Sequence, residues 1–281
     1  MLPLLINFNL STLPVLDLPL IYVLKITRSA MNYLNGIIPI FSFACILFCL
    51  QACSKSEDGL CRDASFDLSE YNVCIFHEDA SLTSEFQSLI NEKIEEGMSM
   101  INEYLTVNDL QIHIVPDKDL VIPEIGIGGY NPSSDQVRIA LSGSSSSLDA
   151  IIENNLIPIL SHEVHHAIRR RSVGYGNTLL QAVVSEGLAD HFAIEVTGIS
   201  PPPWSIALAG DELENWISQA RQTWTESSYN HARWFLGADP DVPRWTGYSI
   251  GFELVRKYLD SNGDKRASDL HNEPASSFIS N

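Results

Sequence analysis

From Leu82 to Leu105 the apolar residues Leu82, Phe86, Leu89, Ile90, Ile94, Met98, Ile101 and Leu105 recur at three- and four-residue steps, which predicts one long helix with a single apolar stripe. The stretch Leu110 to Val115 alternates instead and stops at Pro116, as a strand does. GIGGYNPSSDQVRIALSG, 126–143, reads as a glycine-rich turn followed by a second strand from Gln136 to Leu141. Ser146 and Asp149 have the spacing of a helix start, and helical periodicity then runs toward Arg171 with a break or kink at Pro158. Thr178 and Gln181 form a capping box that opens another helix, which should end near Gly198, before Pro201, Pro202 and Pro203. Two further helical stretches, 211–224 and 248–260, flank the loop LGADPDVPRW. The pattern gives an α+β fold, with a small N-terminal β-sheet and helix scaffold and a helical C-terminal part.

The start of the chain adds an address. Residues 37–50, IIPIFSFACILFCL, are uncharged and apolar, of signal-core length and short for a membrane span. They lead into Leu50-Gln51-Ala52-Cys53, which resembles a bacterial lipobox. That resemblance implies cleavage before Cys53, its lipidation, and a mature protein held to the membrane by a lipid anchor, with Ser54 favouring the outer membrane. An uncleaved anchor helix is the alternative, and both export the rest. The expected organisation is therefore 1–52 as export segment, with translation starting at Met31, 53–65 as a polar tether, and 66–281 as one folded domain.

Formal net charge is −18, and residues 1–52 contribute only Lys25, Arg28 and Asp17, so the acidity belongs to the remainder. Such a surface repels nucleic acid, which is excluded as a partner. Cys61 and Cys74 stand apart from the apolar-run cysteines 45, 49 and 53. In an exported chain they either pair or remain as two buried thiols.

The candidate chemistry lies in Ser161-His162-Glu163-Val164-His165-His166, an HExxH segment. Four residues apart on a helix, His162 and His166 share a face and can offer ring nitrogens to one ion about 2 Å away. His165 lies about 100° from His166 and is excluded from that set. The next helix carries Ser185-Glu186-Gly187-Leu188-Ala189-Asp190, with Glu186 as third ligand and Asp190 one turn later to orient a ligand histidine. Two histidines, a glutamate and an open fourth position form a recognised catalytic zinc (Zn2+) set, with Glu163 left to work on a water.

HExxH followed by ExxxD at this spacing resembles the thermolysin-like gluzincins. More closely, HEVHHAIRRR, GYGNTLLQAVVSEGLADHFAIE and GYSIGFELVRKYL are similar to a family of predicted zinc-dependent proteases, over about 125–260. The resemblance implies a zincin-like metallopeptidase fold with an HExxH helix and a Glu-ligand helix. It implies metal ligands His162, His166 and Glu186, Asp190 behind them, Glu163 as catalytic base, and a peptide or protein substrate. It also implies a tyrosine or histidine donor for the oxyanion, for which Tyr248 is the first candidate and His231 the second; plain packing serves either equally well. The segment before the metal helix is either the substrate-pairing edge strand of such folds or an ordinary hairpin. The competing function is a catalytically silent zinc-binding lipoprotein that acts in binding or assembly.

Overall fold

In the computed structural model residues 60–143 and 145–279 are described. The export segment and Cys53 lie outside them. The chain separates between Lys55 and Ser56 into two units, and every described residue belongs to the second.

The sheet has five strands, β1 (Phe66–Leu68), β2 (Val73–His77), β3 (Leu110–Ile114), β4 (Ile127–Ser133) and β5 (Gln136–Leu141), in the order β1-β2-β3-β5-β4. It is mixed, because β2, β3 and β5 run parallel while β1 and β4 are antiparallel to their neighbours. The parallel β2 to β3 step needs a crossover, which α1 (Ser84–Asn102) supplies. Its predicted stripe is the buried face, with Ile90, Ile94, Met98 and Ile101 inaccessible to solvent and Thr83 capping its start. Gly97 permits close approach of α2, since a Cβ there would stand 3.1 Å from Leu160.

The helix α2 (Ser145–Arg170) runs through Pro158 without a break. Of the expected break or kink, the break is absent: packing of Leu156, Ile159 and Leu160 into the core holds the helix across a position where only one intrahelical donor is missing. In α3 (Leu179–Thr197) the capping box is present and Gly198 adopts the left-handed conformation, φ 68°, that ends the helix. Nearly all of α3 is buried, because it is central. It crosses α6 (Thr246–Ser261) at two glycines, Gly187 and Gly251. The remaining α-helices among the described residues are α4 (Gly210–Ala220), shorter than the expected 211–224, and a short helix α5 (His231–Phe235), which was not expected.

One other expectation is corrected. The glycine-rich segment is not a turn but the strand β4, since Gly128 and Gly129 serve close approach instead of a bend: a Cβ on Gly128 would meet the Leu120 carbonyl oxygen at 1.8 Å. The segment 60–65 contacts the sheet at both ends, its Ser65 N–H donating to the Ile75 carbonyl at 2.8 Å. Cys61 is disulfide-bonded to Cys74 of β2, with Cα atoms 5.2 Å apart, and the Leu60 carbonyl accepts from Gln111 Nε2 at 2.9 Å. Among the described residues no helix is long and apolar enough to cross a membrane.

Candidate metal centre

The cleft lies between β4 and the helices, in a cavity of about 610 Å³ lined by residues of β4, α2, α3 and α6 and their connecting loops. Val164, Ala167 and Ile168 anchor α2 in the core, which turns His162, Glu163 and His166 toward the cavity. His165 is fully buried on the other side, 5.3 Å from the Phe192 ring, with neither ring nitrogen hydrogen-bonded. Burial holds it neutral, its pKa well below the usual histidine value.

His162 and His166 present their Nε2 atoms to each other at 3.0 Å, and Glu186 Oε2 stands 3.1 Å from the first and 3.4 Å from the second. Asp190, 1% exposed, faces His162 Nδ1 with Oδ1 at 2.8 Å. If that nitrogen carries the proton, Nε2 has a lone pair and faces another acceptor, Glu186 Oε2. Either a proton on Nε2 or a metal ion resolves the conflict, and the convergence of all three donors suits a metal: donors about 2.0–2.1 Å from a tetrahedral ion lie about 3.3 Å apart. The His162, His166 and Glu186 donor set therefore fits a zinc ion.

Outer partners fix each group. Trp204 Nε1 donates to Asp190 Oδ1 at 3.1 Å and the Ser205 hydroxyl donates to Oδ2. Ser249 of α6 holds the same loop, donating to the Trp204 carbonyl at 3.1 Å and accepting from the Leu208 N–H at 3.2 Å. The Tyr175 hydroxyl donates to the outer oxygen of Glu186 at 2.6 Å. None of Trp204, Ser205 and Tyr175 was assigned a role from sequence. Only Tyr175 gave a hint, as an aromatic between two glycines in the connection from HExxH helix to glutamate helix.

Burial raises the Glu163 carboxyl above the usual carboxylate value, and the adjacent His162 and His166 only partly oppose this. For Glu186 burial acts in the same direction but loses to the two histidines, which hold it well below that value. For His162 burial lowers the pKa, yet Asp190 and Glu186 together raise it well above the usual value. Tyr248 lines the cavity beside Phe235, ring centroids 5.0 Å apart, and its hydroxyl bonds to no described residue. Burial raises its pKa strongly. His231 also lines the cavity, with Nδ1 on the Tyr229 hydroxyl at 3.0 Å.

The strand β4 is a sheet edge, and its ladder parity is fixed. Ser142 N–H bonds the Gly126 carbonyl, so Gly128 and Tyr130 face β5 while Ile127 and Gly129 point outward. The Ile127 carbonyl is taken by Ile122 N–H at 3.1 Å, and the Asn131 carbonyl by Arg170 Nη2 at 3.0 Å. Between them the Gly129 peptide is free to pair, directly over Glu163: a Cβ at Gly129 would meet Glu163 Cγ at 2.5 Å.

Residues 86–280 match a family described as "Predicted Zn-dependent protease (DUF2268)". The chain belongs to this family. The matched span takes in nearly all of α1 and three of the five strands as well as both helices that carry the donor set. No curated protein and no solved structure matches the chain.

Proposed function

We propose that this member of the predicted zinc-dependent protease family is a gluzincin-type metallopeptidase with a zincin-like fold. His162, His166 and Glu186 hold zinc, and Glu163 is the catalytic base. The observation that carries the reading is the convergence of those three donors in a cleft where the adjacent carboxylate, Glu163, belongs to no ligand pair. Zinc bound there supplies Lewis acidity toward a substrate carbonyl and acidifies a water. Glu163 takes the proton as the water attacks and delivers it to the leaving amine. The Gly129 peptide hydrogen-bonds the extended substrate, setting its carbonyl beside Glu163. Tyr248 donates to the developing oxyanion; its uncommitted hydroxyl supports it over Tyr175, which is bound to Glu186.

The test is metal content and peptide cleavage for wild type and Glu163→Gln. The amide keeps the shape and the zinc but cannot accept the proton, so turnover should fall by about two to four orders of magnitude. Equal activity in both proteins would remove Glu163 from the mechanism. Inactivity of both zinc-loaded proteins on a broad peptide library, with equal binding of a partner, would favour the silent lipoprotein.

The chain is further proposed to be exported and lipid-anchored through Cys53. The disulfide between Cys61 and Cys74 supports an oxidising compartment. Mass spectrometry of membrane-extracted protein should find an acylated N-terminal Cys53; an unmodified cysteine within a longer chain would refute the anchor.

A further inference from the structure

Arg170 follows His166 by one more helical turn, so positions 162, 166 and 170 share one face of α2 and all three line the cavity. Its guanidinium is clamped on two sides. Nε donates to Asn131 Oδ1 at 2.5 Å, Nη2 donates to the Asn131 carbonyl at 3.0 Å, and Cζ lies 5.3 Å from the centroid of the Tyr175 ring. Asn131 is itself fixed, donating from Nδ2 to the carbonyls of Ser133 and Gln136 at 2.6 and 2.7 Å. The other cavity arginine, Arg244, is already paired with Glu124 at 2.7 Å. Among the described residues Arg170 has no carboxylate partner, and its Nη1 has no acceptor.

A cation held in one orientation, with a donor to spare, in a substrate cleft, calls for an anionic group on the substrate. Its place against the edge strand β4 sharpens this. Arg170 occupies the Asn131 carbonyl, so an extended chain bonded to Gly129 meets the guanidinium about two residues, or roughly 7 Å, further along.

We propose that Arg170 is the specificity residue of the cleft and binds a substrate carboxylate through Nη1. The inference rests on the peptidase reading above. The carboxylate has two sources, which depend on strand direction. A substrate antiparallel to β4 brings its N-terminal side to Arg170, so the group is an Asp or Glu side chain before the scissile bond. A parallel substrate brings its C-terminal side, and the group is the free chain terminus or an acidic side chain after that bond.

The test uses zinc-loaded full-length protein and matched peptides: a free C-terminal acid, its C-terminal amide, and Asp-to-Asn or Glu-to-Gln replacements on each side of the cleaved bond. Wild type should favour the carboxylate-bearing member of one pair by about 10- to 100-fold in kcat/KM, as for a charged hydrogen bond. Which pair responds identifies the source. Arg170→Gln should erase the preference, so that kcat/KM becomes the same for both members of that pair. A wild type without preference, or an equal loss on both members, would overturn the proposal and leave Arg170 as a support of Asn131 and Tyr175. Should Arg170→Gln misfold, the wild-type comparison still decides.

Calorimetry of the same peptides on zinc-loaded Glu163→Gln, with and without Arg170→Gln, separates the two readings. Arg170-dependent binding of the acidic peptide without cleavage by wild type would sink the peptidase reading and keep the carboxylate site. Cleavage with equal binding of acid and neutral peptides would do the reverse.

Discussion

Glu186 illustrates how one side chain is divided between two tasks. Its Oε2 faces the histidine nitrogens, while Oε1 accepts from the Tyr175 hydroxyl. The phenol holds the carboxylate in one rotation and draws charge from the oxygen that zinc would not take. Tyr175→Phe should therefore weaken zinc binding by about 10- to 100-fold, the usual effect of losing an outer partner. Tyr248→Phe should behave differently, since that hydroxyl touches no ligand. It should keep full metal and lose about 3 kcal/mol of transition-state stabilisation, seen in kcat. Metal titration with a competing chelator, run beside steady-state kinetics on both variants, checks the pair. Equal zinc affinity of Tyr175→Phe and wild type would contradict the role given to the phenol.

At the scale of elements, the α3 and α6 crossing sets the cleft, because α3 carries Glu186 and Asp190 while α6 carries Tyr248 and Ser249. The helices meet backbone to backbone: a Cβ on Gly251 would lie 1.8 Å from the Val183 carbonyl oxygen, and one on Gly187 2.2 Å from the Gly251 carbonyl oxygen. Neither contact can be relieved by a rotamer change. Gly251→Ala should cost about 1–3 kcal/mol or more of stability, as overpacking of a tight interface does. Gly263→Ala, where a Cβ meets nothing within 4 Å, should be near neutral. Urea denaturation of the two variants makes the comparison, and a Gly251→Ala as stable as wild type would mean that the helices separate readily.

For the whole molecule, pH acts through a partly buried histidine held without charge. His191 of α3 stacks on Phe252, ring centroids 4.1 Å apart, and Nε2 bonds the Phe252 carbonyl at 3.0 Å. Burial lowers its pKa below the usual 6.5, against a smaller upward pull from that carbonyl. As pH falls below about 6.5 the unfolded chain takes up a proton at this site that the folded protein refuses. Stability is then lost by up to about 1.4 kcal/mol per pH unit, until the lower folded pKa is reached. Above that window the residue has no such effect. His191→Gln removes the titration, so the stability advantage of wild type over the variant should shrink between pH 7.5 and pH 5.5. A gap that stays constant in urea melts at the two values would exclude His191 as a source of acid sensitivity.

The chain's periodicity determined α1, β3 and β5, and its capping residues determined α3 from Thr178 to Gly198, because each signal is local: a stripe, an alternation, a side chain bonding a backbone N–H nearby. The spacing of His162, Glu163, His166, Glu186 and Asp190 was equally legible, since a helix converts sequence distance directly into facing direction. Tertiary structure alone decided the rest. Gly128 and Gly129 read as a turn, yet they form a strand because the Leu120 loop and Glu163 press against them from other parts of the chain. Pro158 can break a helix, but the residues around it are packed into the core and the helix continues across it. Trp204 and Ser205 became partners of Asp190, and Arg170 a cation clamped against the edge strand, through contacts that no periodicity encodes. Local patterns fix which face a residue presents; only packing decides what meets that face.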